Sequence, residues 1–374
     1  MKSLFIALVL CCLASNMVGG SFELKSVDHQ ITNQLYNGKW RLSDSLINIE
    51  LEKAPNNMKY HFFRVFNLFY SRIFSTDAPS REIIIQLVKD YTWKAISIGD
   101  KQDATIENKF YLGCLYGFLC RVNSMQQQYW LTYWNARKCR DYLEEVIKMD
   151  PSVEDAYLGL AIIEYYPAVA NIPWYAKTLA WCAGMAGDKA QGLSYFRRVA
   201  EKGVLFQGEA LFALTVAYRF GENDIENSLK CWEELTVKYP HNIFFENGKK
   251  RTKISSLILS QGAKFLERDS SKLKNEYALT TAAVLNSVGY ELMNINRYED
   301  AFIVFNVNIK LFPDVANCYD SMAEWYSNKK DKDNSRKYYL IAKEKLARDT
   351  TVTSQFKEFL YQNIEQKLSD LNVK

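Results

Sequence analysis

An all-α chain of antiparallel helix pairs, closed by a terminal capping helix, is the fold class this sequence predicts. Three observations predict it. A spacing of large apolar, glycine, alanine and aromatic residues in the C-terminal third returns after 34 residues. Prolines at 55, 151, 240 and 313 each follow a run with apolar residues at helical period. Finally, the 374 residues include 48% hydrophobic residues but only seven prolines and sixteen glycines, enough for a packed core and too few for a loop-built chain.

Met1–Lys2 and the apolar run Ser3–Ala14 read as a signal segment, with cleavage after Val18-Gly19-Gly20, so residues 1–20 are expected to be removed. The run falls short of the roughly 18 to 20 apolar residues that a membrane span needs. Export to the periplasm or the outer side of a bacterial envelope is therefore expected. The lack of any N-x-[ST] sequon points the same way. Cleavage leaves six cysteines, Cys114, Cys120, Cys139, Cys182, Cys231 and Cys318, spaced too widely for a zinc pattern. Buried thiols are expected, with one bridge from Cys114 or Cys120 to Cys139 left open.

Residues 21–104 read as degenerate helix pairs. Trp40, Ser43 and Ile47 ahead of Pro55 make the second half of one pair, and 60–74 opens the next. Residues 105–266 read as central pairs. A helix carrying Cys139, Leu143 and Val146 ends at Pro151, and Tyr157, Leu160 and Ala161 open its successor. Phe212, Ser228, Trp232 and Pro240 form a further copy. Two insertions break the spacing, near 123–133 and at 165–187, where YYPAVANIPWYAKTLAWCAGMAG carries one charge, Lys177. Its prolines and Asn171 oppose a spanning helix, so burial over the array is expected, with membrane-surface contact as the alternative. Asp188-x-x-Gln191 then restarts a helix by a capping box.

ERDSSKLKNE at 267–276 reads as a solvated turn and opens a C-terminal unit, 267–349. Within it lies the sharpest copy, 282–315: Leu285, Val288, Gly289 and Leu292, then Tyr298, Ala301 and Phe305, then Pro313. Gly289 lets the two helices approach, Ala301 sits at their closest contact, Phe305 fills the space toward the next pair, and Pro313 stops the helix. The following copy carries Tyr319, Met322, Ala323 and Tyr326, then Ser335, Tyr339 and Ala342. Residues 350–374, with Phe356, Leu360, Ile364 and Leu368 on one face, read as the cap that covers the last pair's apolar surface.

On these residues the chain resembles tetratricopeptide-repeat (TPR) proteins over most of 28–349. The resemblance implies a superhelical array whose first helices line a concave groove, and a protein or peptide ligand. The groove positions it implies are Asn286, Tyr290, Met293 and Asn294 in the sharp copy, and Asp320, Glu324, Ser327 and Asn328 in the next. TPR modules that grip a C-terminal carboxylate use Lys and Asn at such places; Asn286, Tyr290 and Asp320 stand there instead, so that clamp is not implied. Phe62, Phe66, Phe69, Tyr70, Tyr165 and Tyr166 would suit an extended peptide or a glycan if they faced the groove, although core packing is the commoner use of that spacing.

Chemistry is scarce. The 47 Lys and Arg against 43 Asp and Glu give +4, no basic excess of the kind a nucleic-acid surface shows. The three histidines, His29, His61 and His241, lack metal-ligand spacing, and no catalytic, cofactor or metal motif is present. Ser271-x-x-Lys274 has no companion K-T-G, and the Asp331-x-Asp333 run lacks the glycine and distal glutamate of a calcium loop. Glu144-Glu145 and Glu233-Glu234 are helix neighbours that point apart, so neither pair can share a substrate proton. The expectation is a non-enzymatic exported scaffold binding another protein, with glycan- or lipid-associated binding through the aromatics or 165–187 as the alternative.

Overall fold

The computed structural model describes residues 24–74, 81–170, 173–268, 270–350 and 352–372; the expected signal segment lies outside them. Every element among the described residues is a helix. The pairs run α1 (Ser26–Tyr36) with α2 (Trp40–Lys53), α3 (Met58–Phe74) with α4 (Arg81–Gly99), and α5 (Ile106–Met125) with α6 (Tyr129–Met149). Next, α7 (Ala156–Val169) pairs with α9 (Lys189–Lys202), with the short α8 (Trp174–Cys182) between them. They continue as α10 (Gln207–Val216), prolonged by a π-turn at Ala217–Gly221, with α11 (Ile225–Lys238). After α12 (Ile243–Gln261) come two short pieces, α13 (Phe265–Arg268) and α14 (Ser270–Glu276). The array ends with α15 (Ala283–Asn294) and α16 (Tyr298–Leu311), α17 (Ala316–Asn328) and α18 (Lys332–Arg348), and α19 (Ser354–Asn372).

The chain is thus an all-α array of antiparallel helix pairs, and the repeat residues stand where their chemistry requires. A Cβ on Gly289 would collide with the Phe305 ring, so only glycine allows α15 and α16 to close. Where the sharp copy has Ala301, others have serine, and burial turns its hydroxyl into a cross-pair tie: Ser228 Oγ donates to Thr215 O at 2.9 Å and Ser335 Oγ to Ala323 O at 3.0 Å. Trp232, Tyr339 and Ala342 are buried in their pairs. Pro55, Pro151, Pro240 and Pro313 each follow a second helix within two residues of its end. Helix starts are capped by side chains, with Asp188 accepting from the Gln191 amide and Asp331 from the Asn334 amide. On α19, Leu360 and Ile364 are buried against the last pair while Phe359 is exposed, the one-sided pattern of a cap.

Three sequence expectations need correction. The extra residues near 123–133 do not form a separate insertion. They lengthen α5 and α6, which meet in a tight turn with Gln127 at φ 58°. The 267–276 stretch is not a solvated turn, because Leu266 and Leu273 are buried and fold α13 and α14 against α16. The 165–187 segment is only half buried: α7 runs on through Pro167, and α8 then sets Ala176 and Ala180 inward and its tryptophans outward. Among the described residues no disulfide is formed, and Cys114, Cys120, Cys139, Cys182, Cys231 and Cys318 are free.

The N-terminal half departs from an open solenoid, in which each repeat contacts only its neighbours. Helix α3 is buried on nearly every side. Phe62 and Phe66 meet Phe206 at the start of α10, and Phe74 meets Phe245 of α12 with ring centroids 5.0 Å apart. Tyr36 stacks near Tyr239 at 5.0 Å, and its hydroxyl donates to Leu205 O at 3.3 Å. Asn242 Nδ2 donates to Tyr36 O at 2.7 Å. Asp155 fastens the same seam, its carboxylate accepting from the Val204, Leu205 and Phe206 amides at 2.8–3.1 Å. The superhelix therefore curls until α1 and α3 touch α10–α12, and aromatic rings fill the interior. One core runs from Ile31 to Phe245 and a second begins at Ile254, so the two meet along α12.

Candidate functional site

Closure decides which expected surfaces exist. Phe62, Phe66, Phe69, Tyr70 and Tyr165 are buried in the N-terminal core, so they offer no aromatic platform to an extended ligand. Tyr166 alone of that set keeps an exposed face. The reason is topological: curling turns the inner faces of the first helices toward each other, and large rings are what fills that space. The sequence pattern marked these rings as one face of a helix without showing what the face meets.

The expected C-terminal groove positions lie on α15 and α17. Because α15 and α17 are consecutive first helices 34 residues apart, Asn286 lies beside Asp320 and Tyr290 beside Glu324 in register. The Tyr290 hydroxyl donates to Glu324 Oε2 at 2.8 Å, and its ring packs edge-on against Phe305. Asn286 is half-buried, and its Oδ1 has no hydrogen-bond partner. Asp320 is 6% exposed, and its Oδ1 likewise has none. Burial, reinforced by the Glu324 charge, pushes the Asp320 carboxyl up to about 7, against a smaller opposing pull from Lys367 on α19. Desolvation and the same two carboxylates push the Tyr290 phenol up as well.

Met293 belongs to the core, which corrects its expected groove position, since a buried thioether offers a ligand almost no surface. Asn294 and Asn328 are exposed at the helix ends, Asn328 donating to Glu324 O at 2.9 Å. The face gathers acceptors: two buried oxygens without donors, plus a Glu324 carboxylate that Tyr290 occupies on one oxygen. Such a cluster can take a cation that brings hydrogens, and desolvated acceptors reward that donor strongly.

Sequence reading missed the groups bordering this face. Ser255 on α12 donates to Glu291 Oε2 at 3.0 Å, and Arg219 from the π-turn pairs with Glu291, tying the two cores together. Arg251, beside them, forms no ion pair among the described residues, and burial holds its guanidinium below the usual arginine range despite Glu291. These charges come from three elements distant in sequence, so no local spacing announced them.

Elsewhere the chemistry stays sparse. No group of three or more His, Cys, Asp or Glu residues that could hold a metal ion occurs among the described residues. His61 is buried with Nε2 2.7 Å from Pro55 O, and desolvation lowers its pKa. The expected Cys139 partners, Cys114 and Cys120, are half-buried thiols whose pKa desolvation raises. On the outer surface Trp174 and Trp181 stand seven residues apart on α8, 78% and 73% exposed, with Lys177 between them. Trp130 and Trp134 on α6 are exposed as well. No helix among the described residues is long and apolar enough to cross a membrane.

No family model matches the chain, and no curated protein matches it. Solved structures similar to it include the APC/C hetero-tetramer Cut9–Hcn1, at 11% identity over 91% of this chain, with a TM-score of 0.43. The chain spans 57% of the length of that relative. The P58(IPK) TPR domain is similar at 14% identity over 94% of this chain and 100% of its own, with a TM-score of 0.21. Yeast Tom70 is similar at 10% identity over 93% of this chain and 88% of its own, with a TM-score of 0.23.

Proposed function

We propose that the protein is a non-enzymatic binding scaffold whose C-terminal concave face grips a partner protein through a lysine or arginine side chain. The observation that carries this reading is the acceptor cluster of Asn286, Tyr290, Asp320 and Glu324, with two buried oxygens lacking donors. The cation docks at Glu324, on the oxygen that Tyr290 leaves free, with Asp320 just beneath supplying field. Rigid helix pairs hold these groups in place beforehand, so binding spends little entropy on ordering the site. The partner and the compartment, the latter expected from the N-terminal segment to be a bacterial envelope, belong to the same proposal.

Selection from a random decapeptide library on the immobilised chain should enrich lysine- or arginine-bearing peptides. Glu324→Gln should weaken the best of them about tenfold or more, the scale for losing a charge partner that is partly desolvated. The melting temperature should stay unchanged, because glutamine still accepts the Tyr290 hydroxyl. Enrichment of neutral or acidic peptides, or equal affinity in the variant, would contradict the reading.

A second reading, adhesion to a membrane surface, is favoured by one observation, the exposed Trp174–Lys177–Trp181 face of α8. Tryptophan with a flanking cation is the pattern of interfacial helices. Flotation with vesicles of neutral and anionic lipid should recover the protein with the anionic vesicles, and Trp174→Ser/Trp181→Ser should abolish recovery. Protein remaining at the bottom of the gradient with both lipids would remove this reading.

A further inference from the structure

A sizeable space opens beside the packed aromatic core of the N-terminal half. A cavity of about 330 Å³ lies between the C-terminal ends of α3, α5 and α7 and the start of α6, walled by Phe69, Ile73, Tyr133, Ala136, Ile162 and Met185. At the roughly 30 Å³ that a water-sized group occupies, this holds about eleven non-hydrogen atoms, within the range of small-ligand pockets.

Its one charged wall group is Arg121. Nη1 donates to the Tyr70 hydroxyl at 3.0 Å and lies 2.5 Å from Glu209 Oε1, and the guanidinium sits over the Phe69 ring at 5.0 Å. Burial alone would lower the Arg121 pKa, but Glu209 and the neighbouring tyrosines outweigh it and hold the group charged. Nε and Nη2 donate to no group among the described residues. Glu209 is 1% exposed, and neither of its oxygens has a hydrogen bond of good geometry. A second cavity of about 40 Å³ adjoins Glu209 and shares Arg121, Cys120, Ile162 and Ile163 with the larger one. The site therefore offers spare donors and spare acceptors at one end of an apolar chamber, with no net charge.

We propose that this cavity binds a medium-chain amphiphile with an uncharged head that both donates and accepts, such as an alcohol or an amide. The chain fills the apolar chamber; the head accepts from Arg121 and donates toward Glu209. A carboxylate head is disfavoured because the Glu209 charge lies against the same guanidinium and cancels its attraction. An ammonium head meets the reverse obstacle in Arg121. The site is separate from the concave face of α15 and α17, and monomeric ligands test it independently of any membrane adhesion.

Titration calorimetry of the full chain with decan-1-ol, decanoate and decylammonium, each below its solubility or micelle threshold, tests the proposal. Decan-1-ol should bind with one site per chain, and the two charged probes at least tenfold more weakly. Ala136→Phe, which fills the chamber, should abolish binding; Thr132→Trp, at a half-buried wall position, gives the same test should the first variant fail to fold. Glu209→Gln should shift the preference toward decanoate by about tenfold. No binding of decan-1-ol, decanoate binding equally well, or binding that survives in folded cavity-filling variants would each overturn the proposal.

Discussion

Asp320→Asn should stabilise the protein above pH 7 and leave its stability near pH 4 almost unchanged. The carboxyl is 6% exposed and its pKa stands at about 7, chiefly through burial and secondly through Glu324. The groups facing it are Glu324 on its own helix, Tyr290 on α15, Tyr339 on α18 and Lys367 on α19, and the single cation only partly offsets the burial. An acid whose folded pKa is raised binds its proton more tightly when folded. Below about pH 4 both states hold the proton and nothing is lost. Between about 4 and 7 only the folded state holds it, so unfolding free energy falls as pH rises; above 7 the penalty is complete. A shift of this size corresponds to at most about 4 kcal/mol. Melting curves at pH 4.5 and 8 should show a variant gain at pH 8 of up to roughly 5 °C, at about 1.3 °C per kcal/mol for a chain of this length. An equal or larger gain at pH 4.5 would show that the carboxylate is not the source of the penalty.

Tyr36→Ala should lower stability by about 3–5 kcal/mol, the cost of emptying a buried aromatic site. Its reach distinguishes it from an ordinary core truncation. Tyr36 is the point where the first pair meets Tyr239, Phe66 and Leu205, so its removal opens the seam that closes the N-terminal half. Hydrogen exchange should accelerate in α10 and α12 as well as in α1. In an open array, loss of a terminal contact would fray α1 alone. Acceleration confined to α1 and α2 would show that the seam does not hold the half together.

The fold was legible in the sequence wherever local chemistry repeats. Gly289 and Phe305, the buried serines of the second helices and the helix-ending prolines are read by their nearest neighbours, so their spacing carried the pairing of helices. Curvature is different. Whether Phe62 and Phe66 line a groove or fill a core depends on small rotations accumulated over five pairs and on contacts such as Tyr36 with Leu205, 169 residues away. The register of Asn286 with Asp320 and of Tyr290 with Glu324 follows from the 34-residue spacing, but the burial of Met293 and Asp320 does not, since it depends on how closely α17 and α19 approach. The cavity around Arg121 was invisible for the same reason: Phe69, Arg121, Ile162 and Glu209 come from four helices whose convergence no spacing encodes.

The most direct test of the proposed concave-face function is the affinity of the chain for its best selected basic peptide at pH 6 and pH 8. If the partner's cation docks above Asp320, binding favours the ionised carboxylate, which is the minor form at pH 6 and the major form at pH 8. Affinity should be up to about tenfold tighter at pH 8 for the native chain, with no such change for Asp320→Asn. Equal affinity at both pH values, or the same rise in the variant, would contradict it.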